Sequence, residues 1–325
     1  MVANDIQLIE PIIMTATPPR RVYRTWVADS RRWDGFQPRQ GDIVIATYPK
    51  SGTTWMQQIV SLLIHQSAVP RTLPHQAAWL EMRHLTTHAQ ALAAIEEEPS
   101  PRSIKCHMPF DGIPVFDAIK YIHVARDGRD ACMSYHNHCL AFTPAALARQ
   151  DAAGLADPWL GRPAPRASPD PRKFYRDWMG QGSMPGEPDG LPFLSYFNFE
   201  RTYWEARHRP NMLLVHYNDL KADLDGEMRR VAAFLGFDVT PTLWPSLVEA
   251  ASFEAMKAAG NVLLPHAGHI WEGGADRFLH KGTNNRWRDV LTTADIELYE
   301  ARVHATLPTD CAQWLAGGRH AAEAL

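Results

Sequence analysis

A short β-rich run, Asp42-Ile43-Val44-Ile45-Ala46-Thr47-Tyr48, passes through Pro49-Lys50-Ser51-Gly52 into a segment that places Trp55, Ile59, Leu62 and Leu63 at helical spacing. Strand, tight loop and helix follow one another with no room for a long connection, and this restricts the fold more than any other feature. The unit recurs. Lys120-Tyr121-Ile122-His123-Val124-Ala125-Arg126 reads as a buried strand, and Asp127 is placed to cap a helix running through His138. Asn211-Met212-Leu213-Leu214-Val215-His216-Tyr217 leads into a helix over about 220–235. Strands alternating with helices predict an α/β fold, a central parallel sheet flanked by helices, with ligands at the carboxyl ends of its strands. The 325 residues, 45% of them hydrophobic, suffice for one large core, so residues 1–325 are expected to form a single domain.

Between residues 141 and 193 the composition shifts to Pro, Gly, Ala and polar residues, interrupted by a short helical pattern near 173–179. A disordered excursion would have little use for Trp159, Phe174, Tyr175, Trp178 and Phe193, so an inserted lid or acceptor-binding segment is the better reading.

The loop between the first strand and its helix is built for an anion. Backbone amides and the positive helix end, worth roughly half a charge, converge there. Lys50 adds a full charge, Gly52 allows close backbone approach, and Ser51, Thr53 and Thr54 bring hydroxyl donors. Lys and Arg total 33 against 36 Asp and Glu, so no global field collects anions such as nucleic acid, and a local cluster must hold the ligand. A Walker loop would carry its Lys after the Gly, beside a magnesium-binding hydroxyl; here the Lys precedes the Gly by two. The run Tyr48-Pro49-Lys50-Ser51-Gly52-Thr53-Thr54-Trp55 instead resembles the 5′-phosphosulfate loop of the cytosolic-type sulfotransferases, and the early Arg21-Val22-Tyr23-Arg24-Thr25-Trp26 and Trp33-Asp34 stretch resembles a bacterial branch similar to aryl and glycolipid sulfotransferases. This resemblance implies a P-loop-like sulfotransferase fold. It also implies transfer of a sulfuryl group from 3′-phosphoadenosine 5′-phosphosulfate to a hydroxyl of a small-molecule or lipid-like acceptor, with no metal.

The resemblance extends through ordered stations as far as Trp287. Arg126 ends its strand and Ser134 lies eight residues on, little more than two helical turns, matching the family's 3′-phosphate pair. In Lys105-Cys106-His107-Met108-Pro109, two-residue alternation puts Lys105 and His107 on one face; the family's general base stands at the position of His107. Lys50 and Lys105 would then stabilise the charge that develops during transfer. Tyr217 and the segment Ala251-Ser252-Phe253 match the adenine side, with Trp55, Tyr217 and Phe253 as flat walls and Ala251 in place of a Thr. Phe278-Leu279-His280-Lys281-Gly282 resembles the closing segment, except that His280 replaces the Arg that clamps the 3′-phosphate, and Asn285-Arg286 stand where the family has Gly-Asp. A neutral imidazole cannot form the charged fork of Arg, so Arg286 is expected to compensate, or binding to tighten as His280 protonates below about 6.5.

Other readings remain open from sequence. A P-loop kinase using Mg-ATP would share the strand-loop-helix, and a non-catalytic nucleotide-binding scaffold would tolerate His280. His136-Asn137-His138-Cys139 has the residue types of a metal site, but helical neighbours two apart point away from each other, so no metal is expected. His123 and His216 lie in apolar strands and are expected to be hydrogen-bonded core residues. The four cysteines have no metal or disulfide spacing, and neither a leader nor a membrane-length apolar run is present, which predicts a cytoplasmic protein without integral membrane contact. Arg288, Thr292, Thr293 and Glu297 loosely resemble the family's dimerisation pattern, making a homodimer possible.

Overall fold

The computed structural model describes residues 16–73 and 77–319. Its centre is a five-stranded sheet in the order β3 (Ala77–Trp79), β4 (Ser103–Cys106), β2 (Ile43–Thr47), β6 (Lys120–Ala125) and β7 (Met212–His216), all neighbours parallel. A two-stranded antiparallel ribbon of β1 (Ala16–Thr17) and β5 (Val115–Phe116) stands apart from it. The parallel sheet expected from the alternating pattern is present, and β3 adds an edge strand too short to register as a periodic run.

Alternation along β2 divides the core. Val44 and Ala46 face a cluster rich in aromatic residues that includes Tyr48, Trp178, Phe199 and Tyr203, whereas Ile43 and Ile45 face aliphatic residues of α1 (Thr53–His65), including Ile59 and Leu63. Both faces are covered, as a parallel sheet requires. At the start of β2, the guanidinium of Arg102 grips Asp42 through Nε–Oδ1 at 2.8 Å and Nη2–Oδ2 at 3.1 Å, and also donates to the carbonyls of Ile95 and Gln37. His123 bonds the Ala46 carbonyl at 3.1 Å and Glu200 at 2.9 Å and stacks on Tyr203; His216 bonds the Leu315 carbonyl. Both are the core histidines that their apolar strands imply.

In chain order, α2 (His88–Glu97) precedes β4, and α3 (Gly128–Leu140) follows β6 with the Asp127 carboxylate capping the Arg129 amide. The segment between 141 and 193 contains α4 (Pro144–Leu155) and α5 (Pro171–Gly180). Phe174, Tyr175, Trp178 and Phe193 are buried in the main core, while Trp159 is 45% exposed. The Trp178 indole donates to the Tyr48 hydroxyl at 2.9 Å, tying this segment to the anion loop. After α6 (Tyr196–Glu205) and β7, the helix expected over 220–235 is split into α7 (Tyr217–Ala222) and α8 (Leu224–Leu235). The break is Asp223, whose backbone leaves helical geometry (φ −146°, ψ 80°) and whose carboxylate accepts the Gly226 amide and caps α8.

Candidate active site

The anion loop folds as a strand-to-helix turn in which Lys50 has φ +72° and Gly52 φ +120°. A side chain at 52 would be strained at that φ, and its Cβ would press on Val124 and the Tyr217 ring, each 3.2 Å away. Thr53 bonds Thr47 through their hydroxyls at 2.5 Å, Thr54 is half-buried, and the buried Ser51 hydroxyl has no hydrogen-bond partner among the described residues. An orphaned hydroxyl beside a helix N-terminus is what an anion cradle shows before its ligand arrives.

Two lysines and an imidazole meet at the carboxyl ends of β2 and β4. The parallel register aligns Ala46 with Cys106, so the residues just beyond, Thr47 and His107, are neighbours. His107 Nδ1 lies 2.7 Å from the Thr47 carbonyl. A carbonyl only accepts, so Nδ1 carries the hydrogen and Nε2 keeps the lone pair, the tautomer needed in a base. Burial, then the charges of Lys105 and Lys50, hold His107 well below its ordinary pKa, so it is neutral. Lys50 Nζ sits 4.0 Å above the Phe278 ring and Lys105 Nζ 4.2 Å above Trp79. Burial lowers Lys50 to about 7, with help from Arg126 and Lys105, and lowers Lys105 to about 8. Cations forced together in a dry site await a negative ligand.

Arg126, 5% exposed, extends this cationic surface along β6. Its guanidinium lies 4.2 Å over Tyr217 and donates to Asn284 Oδ1 at 2.6 and 3.1 Å, and to the carbonyls of Thr283 and Lys50. Ser134 is half-buried, about two turns along α3. Trp55 packs edge-on to Tyr217 and donates its indole N–H to the Ala251 carbonyl at 2.8 Å. Ser252 caps the helix Phe253–Ala258 by accepting from Ala255, and Phe253 lies so close to Gly282 that a Cβ there would come within 2.9 Å of the ring. The adenine-side residues selected from sequence therefore do gather around Tyr217.

Lys281 is exposed, and His280 has a buried Nδ1 without a partner among the described residues. Burial, then Arg286, Lys281, Arg277 and Lys257, push the His280 pKa down. In the free protein its protonation therefore falls below the pH near 6.5 expected from the isolated side chain. Arg286 is also pushed down, by burial and then by Arg126, with Asp130 opposing. Asp130 rises to about 6 through burial and retains an unpartnered Oδ1. Sequence reasoning assigned no role to Arg277, Asp130 and Asn284: the last two fall at positions between the matched residues of their segments, and Arg277 just precedes the closing segment. A cavity of about 390 Å³ opens on Asp130, Asn218, Asn284, Trp287 and Arg288, beside the Arg126 end rather than the His107 end.

The two histidines of α3 diverge as helical spacing requires. His136 Nε2 bonds the Ser168 carbonyl at 2.9 Å, whereas His138 is surrounded by Phe142, Trp271 and Phe278. Among the described residues no group of three or more His, Cys, Asp or Glu is arranged to hold a metal ion. Nor is any described helix long and apolar enough to cross a membrane.

Comparison with known proteins identifies the family and the fold. A family model described as the sulfotransferase domain matches residues 40–315. The glycolipid sulfotransferase of Mycobacterium bovis is 32% identical over 320 residues, spanning 92% of this chain and 95% of the relative. Sulfotransferase 1A1 of Rattus norvegicus is 27% identical over 280 residues, spanning 83% and 85%. Among solved structures, retinol dehydratase in complex with androsterone and the inactive cofactor PAP superposes with a TM-score of 0.67 at 20% identity, covering 91% of this chain and 90% of that one. Mouse sulfotransferase SULT7A1 complexed with PAP gives 0.66 at 17% identity, covering 93% and 98%. The anion loop, the paired lysines and the carbonyl-fixed histidine thus sit in a shared fold, and the chain is a member of the sulfotransferase family.

Proposed function

We propose that the protein transfers a sulfuryl group from 3′-phosphoadenosine 5′-phosphosulfate to a hydroxyl of a small-molecule or lipid-like acceptor, with His107 as general base. The observation that carries this reading is the neutral, Nδ1-protonated His107 between two lysines at the mouth of the anion loop. The donor brings about four negative charges, counting a 3′-phosphate near −2, and supplies the activated sulfur. The fit rests on two polar atoms without partners among the described residues, the Ser51 hydroxyl and the His280 Nδ1, and on the like charges of Arg126 beside Lys50 and beside Arg286.

Lys50, Ser51, Gly52, Thr53 and Thr54 would hold the 5′ end, and Arg126, Ser134, His280, Lys281 and Gly282 the 3′-phosphate. Trp55, Tyr217, Ser252 and Phe253 would hold the base. Arg286 takes over charge lost at position 280. His107 Nε2 would accept the acceptor's hydroxyl proton, while Lys50 and Lys105 stabilise negative charge on the departing side. The 141–193 segment would serve as a lid, through its link to Tyr48. The four free cysteines suit a reducing cytoplasmic setting. Thr292, half of the Thr pair in the loose dimer pattern, is committed to capping Thr293–Thr306 and to Arg172, so a homodimer would have to form around that arrangement.

Calorimetric titration with adenosine 3′,5′-bisphosphate, 5′-AMP and Mg-ATP tests the donor site. Preference for the bisphosphate, lost in Arg126→Ala, is the expected result. Preference for Mg-ATP would move the protein to kinase chemistry, and binding of neither would leave a scaffold.

A further inference from the structure

We propose that His138 recognises a second hydroxyl on the acceptor, next to the one that reacts at His107, so that the enzyme favours acceptors with neighbouring hydroxyls, as on a sugar ring, over alcohols or phenols with a lone hydroxyl. The inference rests on the sulfotransferase reading of the site and concerns only its acceptor side.

His138 lies in the last turn of α3 with its ring 5.0 Å from Phe142, 5.0 Å from Trp271 and 5.8 Å from Phe278. Phe278 is also the ring beneath Lys50 Nζ, so the imidazole and the transfer lysine share one wall. Lys50, Lys105 and His107 are the ionisable groups close enough to act on His138, in keeping with the Phe278 ring that lies against both His138 and Lys50. Burial and those three neighbours keep its ring neutral.

A neutral imidazole has one donor and one acceptor nitrogen, and neither nitrogen of His138 has a hydrogen-bond partner among the described residues. A half-buried polar ring among aromatic walls is unfavourable unless something bonds it. His136, His123, His216 and His107 all have protein partners, which makes His138 the exception among the histidines of the sheet and of α3. The indole N–H groups of Trp271, beside His138, and of Trp79, beside His107, are also buried without partners.

A hydroxyl both donates and accepts, as a neutral imidazole does, so the two are complementary in either direction. A sterol or simple phenol delivers its one hydroxyl to His107 and leaves His138 unpaired. A ring with adjacent hydroxyls satisfies both, while its C–H faces lie against Phe142, Trp271 and Phe278. Polar groups sparsely set in an aromatic pocket fix orientation in this way.

The test measures acceptor binding by tryptophan fluorescence, with adenosine 3′,5′-bisphosphate present, for octyl glucoside below micelle formation and for 1-octanol. Wild type, His138→Phe and His138→Gln are compared, each checked by thermal melting. Wild type should prefer the glucoside by about tenfold or more, the scale of one to two hydrogen bonds. His138→Phe should remove most of that preference through weaker glucoside binding, and His138→Gln, which keeps a donor and an acceptor, should retain part of it. Equal binding of both probes by wild type, no glucoside binding, or a preference that survives His138→Phe would each overturn the proposal. Sulfuryl transfer from labelled donor is followed on the same samples: absence of transfer to any acceptor would overturn the underlying activity, while the binding ratio still judges His138.

Discussion

Replacing Arg286 by Ala separates a binding role from a structural one. Arg286 makes no hydrogen bond to the described residues, and its neighbours include Arg126 and Arg277, with Asp130 as the opposing charge. Removing it from the free protein breaks no bond and relieves like-charge repulsion, so the melting temperature should stay level or rise. The bound state differs. A hydrogen bond to a charged partner contributes about 1.5–3 kcal/mol, so affinity for adenosine 3′,5′-bisphosphate should fall about 10- to 100-fold. Affinity for 5′-AMP, which lacks the 3′-phosphate, should change little. Calorimetry with both nucleotides and a thermal melt read the two effects separately. Restoring the cation at the other position, by adding His280→Arg to Arg286→Ala, should recover much of the loss. An equal fall for both nucleotides, or a lower melting temperature with bisphosphate binding intact, would refute the idea that the charge has moved from 280 to 286.

Three other outcomes are expected. His107→Ala should cut turnover about 10²- to 10⁴-fold while bisphosphate affinity is retained, measured by steady-state kinetics beside calorimetry. Lys50 titrates near 7 in the folded protein but near about 10.4 when unfolded, so the unfolded chain binds more protons between these values and its contribution to stability grows with pH across that window and is lost as pH falls through 7. An anionic nucleotide reverses the shift, so bisphosphate binding at pH 8 should take up protons, seen as a heat that depends on the buffer's ionisation enthalpy. Arg102→Ala should cost about 3–5 kcal/mol in urea denaturation, because it leaves the fully buried Asp42 without its bidentate partner.

The donor side was legible because its groups travel in contiguous motifs tied to element ends. The run from Tyr48 to Trp55 spans a strand terminus, a loop and a helix start, so its residues are placed by local geometry alone. The same holds for Lys105 with His107 and for Arg126. What sequence left out depends on packing between distant segments. The tautomer of His107 is fixed by a carbonyl sixty positions away, and Asn284 reaches Arg126 across 158 positions. Helical spacing correctly separated His136 from His138, but could not show that the second packs on Phe278, the ring beneath Lys50. The aromatic content of the 141–193 segment argued for order, but its Pro- and Gly-rich flanks did not show that Trp178 is buried in the main core, where α5 packs its aromatic face inward.

The anchoring of the two half-sites differs in kind. Lys50, Lys105, His107 and Arg126 are fixed at or just beyond the ends of adjacent strands, whereas His138 comes from the last turn of α3 and Trp271 and Phe278 from segments outside the sheet. The outer walls can therefore be rebuilt without shifting the register of the strands. On the proposed role of His138, a designer seeking a different acceptor would vary positions 138, 142, 271 and 278 as a set and leave the strand ends alone, treating the sheet as a fixed chassis and the segments outside it as interchangeable tooling.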